Sequence, residues 1–125
     1  MKLKRKLATI ALTGGLALTG MAATAPSASA AEKCDSNQVC LYRATGFVRM
    51  GLETTDKNGC FDLYSLGFSQ GVKSYINNLP VKVDIYHWNG NTHVYDGTIR
   101  PGGSSSNTGI RVFGTNGMAC TGSAG

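Results

Sequence analysis

Beyond its first thirty residues the chain has no long hydrophobic run, little proline and no helical periodicity. Proline, which interrupts strands, occurs three times in 125 residues. No apolar stretch after residue 30 is long enough to cross a bilayer, so we expect no membrane insertion of that part. Apolar residues also fail to recur about every three to four positions, which excludes a long stable helix.

Clustered positive charge is also missing. Four of the twelve basic residues lie in positions 2–6, whereas all seven acidic residues lie beyond residue 30. Residues 31–125 therefore carry eight basic and seven acidic side chains, a net charge of +1. Nucleic acids and anionic membranes bind clustered Lys and Arg, so the sequence excludes both as partners.

Motifs for catalysis and for metal binding are absent as well. The chain has no Gly-x-Ser-x-Gly elbow, and the spacing of Asp62, Asp84 and Asp96 does not indicate paired acid and base chemistry. No Cys-x-x-Cys knuckle is present, and we interpret His87 and His93 as polar surface residues because no third ligand lies nearby. The sequence predicts a protein that is not an enzyme, with no catalytic residue and no metal site.

The first thirty residues have the pattern of a secretory signal peptide. A basic start is followed by a mainly apolar run over residues 7–23 and by Ala28-Ser29-Ala30, a small-residue cleavage motif. Threonines and glycines interrupt the run, which makes a transmembrane anchor the weaker interpretation. We therefore expect residues 1–30 to be removed and residues 31–125 to form one secreted, extracellular domain.

Four cysteines lie in the predicted extracellular part, where thiols oxidise to disulfides. A domain of this size has a small core and gains much from cross-links. Three pairings are possible. We favour Cys34–Cys40, which would staple the N-terminal segment, and Cys60–Cys120, which would tie the tail to the middle of the chain.

Short alternating stretches predict an all-β domain. Residues 89–91 contain an Asn-Gly pair that suits a tight hairpin turn, and residues 100–106, with Pro and paired Gly, indicate a loop. Residues 62–68 fit either a short helical turn or an irregular crossover. The strands that we predict cover residues 39–42, 81–86 and 93–95.

A weak internal repeat relates residues 71–78 to residues 109–116. Both segments begin with Gly, continue with a β-branched, a basic and an aromatic residue, and end with Asn. Two such motifs, roughly 38–80 and 81–118, would pack as a two-sheet sandwich. Chance agreement among common strand residues is the alternative explanation.

Several short motifs of the chain belong together: Cys34-x5-Cys40-Leu41-Tyr42, Gly46-Phe47, Gly51, residues 71–78, Val83-Asp84-Ile85-Tyr86 and Pro101-Gly102. Together they resemble a known family, the small secreted βγ-crystallin-like proteins of actinobacteria, which are grouped with a metalloproteinase inhibitor as a peptidase-inhibitor family. The resemblance implies a βγ-crystallin-like sandwich of two Greek-key motifs, with the N-terminal cysteine pair bridged and with Tyr42 and Phe47 packing at the hairpin of the first motif.

The same resemblance implies a non-enzymatic, protease-inhibitor-like module that binds another secreted protein, in particular a metalloprotease. Inhibition requires a rigid exposed loop, because a loop that is already ordered loses little entropy on binding. In the inhibitory relative a second close cysteine pair holds such a loop, whereas Cys60 here has only the distant Cys120. The alternative function is a structural or adaptor subunit of an extracellular assembly, such as a secreted toxin complex.

Two segments are candidate contact segments because we expect them to be exposed. The first is the hairpin tip with Trp88, Asn89 and Asn91, and the second is the loop with Pro101, Ser104 and Ser105. The aromatic residues around the tip suit protein or glycan recognition. In a strand Tyr86 and Trp88 share one face; we place Tyr86 in the core and leave Trp88 open between core and surface.

Calcium is the one cofactor that the resemblance leaves open. Crystallin-type motifs bind calcium through oxygen ligands, and the corresponding stretches here are residues 69–74 and 107–112. Both stretches are degenerate, and Lys73 and Arg111 bring positive charge to positions where a hydroxyl is expected. We therefore predict no cofactor. The sequence does not indicate an oligomeric state.

Overall fold

The computed structural model describes residues 30–109 and 112–125, so the predicted signal peptide lies almost entirely outside the described residues. The described part contains no α-helix, and none of its helical segments is long and apolar enough to span a membrane. A short 3-10 helix, Gly122–Ala124, ends the chain. The strands are β1 Val39–Ala44, β2 Val48–Thr54, β3 Cys60–Asp62, β4 Ser74–Asn77, β5 Val83–Trp88, β6 His93–Ile99, β7 Ser104–Ser105 and β8 Met118–Thr121.

The strands form two antiparallel four-stranded sheets, which confirms the all-β prediction. The first sheet has the order β2-β1-β4-β7 and the second has the order β3-β8-β5-β6. Each sheet therefore takes three strands from one half of the chain and one strand from the other half. The assignment to the βγ-crystallin type, and the boundaries of its two Greek-key motifs, stay predictions.

The core lies between the two sheets. The first four residues of β1 and the first three of β5 are buried, whereas β2 and β6 consist mainly of half-buried and exposed residues. Each large aliphatic side chain that is buried in this way contributes about 1.5–3 kcal/mol. The buried cluster consists of Val39, Leu41, Leu63, Phe68, Val72, Leu79, Val83, Ile85, Ile99 and Ala119.

Both favoured disulfides are present, Cys34–Cys40 and Cys60–Cys120. Cys60 and Cys120 are direct partners across β3 and β8, with their Cα atoms 4.0 Å apart. The bond therefore fixes a three-residue edge strand to the strand beside it.

Tyr42 and Phe47, which the resemblance places at the hairpin of the first motif, contact each other. Their ring centroids are 5.7 Å apart in an edge-to-face arrangement. The Tyr42 hydroxyl donates a 2.6 Å hydrogen bond to the carbonyl of Glu32. Burial, together with the nearby carboxylates of Glu32 and Glu53, raises the pKa of Tyr42.

Two predicted boundaries were wrong. Strand β5 begins at Val83 rather than at residue 81, because residues 79–81 bend around Asn77, whose Nδ2 donates to the carbonyl of Val81 over 3.0 Å. Residues 104 and 105, predicted as loop, form β7 and pair with Tyr75 and Ile76. This pairing satisfies backbone groups at the outer edge of β4 that would otherwise lack partners.

Residues 62–68 and the second segment of the internal repeat are mainly turn and loop rather than strand. Residues 63–67 form a turn that contains hydrogen bonds from Gly67 N to Tyr64 O (3.2 Å) and from Phe68 N to Leu63 O (3.0 Å). In the first repeat segment residues 74–77 are a strand, whereas residues 112–116 of the second are loop and turn, and Ile110 and Arg111 lie outside the described residues. The two halves of the repeat therefore differ in structure.

Candidate functional site

Residues 55–59 connect β2 to β3, and we call this segment the braced loop. Residues 55–58 are all exposed, and Lys57 is the one basic side chain in the segment. Cys60 follows directly, so the disulfide to Cys120 fixes the end of the loop to β8.

Hydrogen bonds hold the braced loop on both sides. Asp56 N donates to Thr54 Oγ1 over 3.0 Å, and Asn58 N donates to Asp56 Oδ1 over 2.9 Å. Gly59 N donates to Thr121 Oγ1 over 2.9 Å, and Thr121 N donates to Gly59 O over 2.8 Å. The segment is therefore exposed and at the same time conformationally restrained.

The β5–β6 hairpin tip is restrained by its own asparagine. Asn89 Oδ1 accepts hydrogen bonds from the backbone N–H groups of Asn91 and Thr92, each 2.9 Å long. Gly90 has φ +96°, a backbone conformation that favours glycine. Asn89 therefore shapes the turn, and Asn91 is exposed at its tip.

Trp88 forms one wall of a surface cavity of about 310 Å³, which we call the aromatic groove. Its ring is 43% exposed and stands edge-to-face against His93, with centroids 5.0 Å apart. The structure therefore places Trp88 at the surface. The groove is lined by Asp62, Tyr64, Trp88, His93 and Asn116.

Backbone hydrogen bonds join the three segments that form the groove. The 63–68 turn and the 112–117 loop are linked by bonds from Leu63 N to Gly117 O (2.8 Å) and from Asn116 N to Phe68 O (3.0 Å). Trp88 N donates to Thr115 O over 3.0 Å, which ties the same loop to β5. These backbone hydrogen bonds therefore fix the three segments that form the groove relative to one another.

Asn116 is an unusual member of the groove. Its φ is +51°, and its Oδ1 is buried without a hydrogen-bond partner in the described part of the chain. A buried polar atom without a partner costs about 1–3 kcal/mol. Sequence analysis included Asn116 only as the Asn that ends the second repeat segment and did not single out Tyr64.

Tyr86 and Tyr95 lie beside the groove on the outer face of the second sheet. The two residues are register partners, and their ring centroids are 5.7 Å apart. Tyr95 is 56% exposed, and Tyr86 is half-buried on this outer face and does not pack against the core cluster, so the core prediction for Tyr86 is wrong.

A polar network continues along the same outer face. Asp84 accepts hydrogen bonds from Lys82 and from Thr98 Oγ1, and the hydroxyl of Thr98 also contacts that of Tyr95. Burial alone would raise the pKa of Asp84, but these hydrogen bonds and the charge of Lys82 lower it overall. The same interaction raises the pKa of Lys82.

The two predicted contact segments lie at opposite ends of β6. Trp88, Asn89 and Asn91 are at the end where Trp88 pairs with His93, whereas Pro101 follows the other end, where Val83 pairs with Ile99. A seven-residue strand is roughly 20 Å long, so the segments do not form one site.

The second predicted segment is itself partly strand and turn. Pro101 is exposed in a turn closed by a 2.9 Å bond from Gly103 N to Arg100 O. Ser104 is exposed and Ser105 is half-buried, both within β7.

The two histidines have different partners. His87 Nδ1 lies 2.6 Å from Asp96 Oδ1, and Asp96 Oδ2 accepts a 2.8 Å bond from Gly114 N, whereas His93 packs on Trp88. Among residues 30–109 and 112–125 no group of three or more His, Cys, Asp or Glu is arranged to hold a metal ion. The predictions for metal and calcium binding stay predictions.

Comparison with known proteins gives one family. No curated protein and no solved structure matches the chain significantly. The family model of peptidase inhibitor family I36 matches residues 27–98, which include the braced loop and the hairpin tip and end before Pro101. Because this match covers more than half of the chain, the protein belongs to peptidase inhibitor family I36.

Proposed function

We propose that the protein is a secreted, non-enzymatic inhibitor that binds an extracellular metalloprotease through the braced loop. Family membership over residues 27–98 is the observation that carries the functional class. Two disulfides in a chain of this size are compatible with secretion.

The braced loop has the properties that an inhibitory segment needs. Four consecutive exposed residues, 55–58, can enter a cleft, and the loop is already ordered by the Cys60–Cys120 bond and by the pairing of Gly59 with Thr121. Ordering a side chain on binding costs about 0.5–1.5 kcal/mol, so an ordered loop retains more of its contact energy. Protease–inhibitor complexes commonly form with little backbone movement.

The braced loop also explains how this chain can do without a second local cysteine pair. In the inhibitory relative, a close cysteine pair holds the inhibitory loop. Here Cys60 is joined instead to Cys120 in β8. Asp56 and Asn58 supply the local restraint through the loop's own hydrogen bonds. Pro101, Ser104 and Ser105 are the weaker candidates, because they lie outside the region that matches the family.

The test measures inhibition of purified extracellular peptidases, a thermolysin-type metalloprotease and a subtilisin-type serine protease, by the secreted chain. We expect stoichiometric inhibition of the metalloprotease. The variant Thr55→Ala/Lys57→Ala removes exposed side chains without touching the bracing hydrogen bonds, and we expect it to weaken inhibition at least about thirtyfold, the loss of one interface hot spot.

The matched control is Asn91→Ala, an exposed loop residue at the other end of the second sheet, which should inhibit like the wild type. Absence of inhibition by the folded wild type, or equal inhibition by the loop variant, would contradict the proposal. Stoichiometric co-purification with proteins that are not peptidases would instead support an adaptor subunit of an extracellular assembly.

A further inference from the structure

The aromatic groove is a second binding site, and we propose that it binds a neutral polysaccharide chain. The groove is distinct from the braced loop: its Trp88 wall lies at the opposite end of the second sheet, and its Asp62 wall follows Cys60 by two residues. Gly59 is bonded to Thr121, which is level with Val83 at the start of β5, whereas Trp88 ends that strand. A six-residue strand separates the two by roughly 16 Å.

The walls of the groove are aromatic faces left open to solvent. Tyr64 is 69% exposed and Trp88 is 43% exposed, and both rings line the same cavity. A sugar ring presents C–H groups on its faces and hydroxyl groups at its edge. Large amphipathic rings bind such C–H faces while their polar atoms stay in water.

The remaining lining residues match the hydroxyl groups of a sugar. Asp62 supplies a carboxylate that is oriented by a 3.0 Å bond from Tyr64 N, and the half-buried Asn116 supplies a carboxamide. Carboxylates accept hydrogen bonds, whereas carboxamides both donate and accept them. The hydroxyl groups of a sugar both donate and accept hydrogen bonds, so they can pair with both side chains.

The charge of the residues that line the groove disfavours anionic ligands. Among residues 30–109 and 112–125, those that line the groove include the Asp62 carboxylate and no lysine or arginine. Phosphate and sulfate groups are bound by cationic side chains, which donate charge-assisted hydrogen bonds. The groove therefore fits a neutral glycan rather than a nucleic acid or a sulfated polysaccharide.

The geometry also favours a glycan over a protein partner. A stable protein interface buries about 800 Å² on each side around an apolar centre. Here Asp62 and Asn116 line a cavity of about 310 Å³ together with the aromatic residues. A groove of this size that is already formed suits a few sugar units.

The experiment uses the fluorescence of Trp88, which is the single tryptophan of the chain and lies in the groove. The purified secreted protein is titrated with cellohexaose and chitohexaose, and with a heparin hexasaccharide as the anionic comparison. We expect a saturable change with at least one neutral hexasaccharide and none with heparin. No change with either neutral sugar, or a response to heparin alone, would overturn the proposal.

Variants at Tyr64 and Tyr95 test whether the sugar binds in the aromatic groove. We expect Tyr64→Ala to weaken binding at least about tenfold and Tyr64→Phe to keep it, because the phenylalanine ring preserves the stacking surface. Tyr95→Ala is the matched control, since Tyr95 is similarly exposed but does not line the groove. Equal binding by Tyr64→Ala and wild type would overturn the assignment of the site.

Peptidase inhibition separates this proposal from the proposed function. Tyr64→Ala should inhibit like the wild type, and Thr55→Ala/Lys57→Ala should still bind the sugar. If Tyr64→Ala loses inhibition and the wild type binds no neutral sugar, the groove belongs to the peptidase interface and the polysaccharide proposal is wrong.

Discussion

Removing the Cys60–Cys120 bond should destabilise the domain far more than removing Cys34–Cys40. The two bonds close segments with sequence separations of 60 and 6 residues. If a disulfide acts by restricting the unfolded chain, the loop-entropy relation gives about 4 kcal/mol for the long segment and about 2 kcal/mol for the short one. The difference of about 2 kcal/mol is the quantity to measure.

The native structure changes little in the double variant Cys60→Ala/Cys120→Ala. Strand β3 keeps its pairing with β8, and the hydrogen bonds between Gly59 and Thr121 do not involve sulfur. Alanine is the appropriate replacement because Cys120 is fully buried, and serine would place a hydroxyl there. The control variant is Cys34→Ala/Cys40→Ala, in which Cys40 is equally buried.

The assay is urea unfolding of the three proteins under identical conditions, with the free energy of unfolding taken from the transition. For a domain of this size each 1 kcal/mol lowers the melting temperature by about 4–8 °C, so thermal unfolding provides a second measure. Equal losses in the two variants, or a larger loss without Cys34–Cys40, would refute the chain-entropy reasoning. If the Cys60→Ala/Cys120→Ala protein folds, measuring its inhibition of the peptidase also shows whether the Cys60–Cys120 bond itself is needed for inhibition.

Three further predictions concern buried polar contacts. Asn77→Ala should lower the free energy of unfolding in urea by about 3 kcal/mol, because the buried Nδ2 donates to the carbonyls of Val81, Ile99 and Arg100. Asp84 has a lowered pKa in the folded protein, so its contribution is present above its ordinary value of 3.8 and is lost as pH falls through the lowered pKa. Acid titration of stability should therefore be flatter for Asp84→Asn, and superimposable profiles would contradict this. Asp96→Asn weakens the contacts to His87 and Gly114, and should speed amide hydrogen exchange at Gly114 while leaving Leu41 in β1 unchanged.

The strands and disulfides could be predicted because their signals are local. Alternation of apolar residues over residues 81–86 and 93–95 identifies two strands, and the Asn89-Gly90 pair between them identifies their turn. Export and the small size of the domain predict disulfides, and the nearness of Cys34 to Cys40 in the sequence favours the pairing that the structure shows.

The candidate sites could not be predicted in the same way, because distant segments form them. Tyr64 lies in a turn with no periodic signal, and it meets Trp88 and Asn116 only through backbone bonds among three separate segments. The short strand β7 forms because β4 offers an open edge, and the sequence of residues 104 and 105 favours a loop. Restraint of the braced loop depends on Thr121, which lies 62 residues from Gly59.

Strand β8 supports both proposed sites, and this determines how they interact. Thr121 and Cys120 hold the braced loop at one end of the strand, and Asn116 precedes the other end. Pairing with β3 on one side and β5 on the other keeps β8 from moving independently. A ligand in the groove therefore contacts a support that is already rigid, and it has no means of displacing the loop. Inhibitor bound to a polysaccharide should consequently retain its full affinity for the peptidase, since neither site has to change shape when the other is filled.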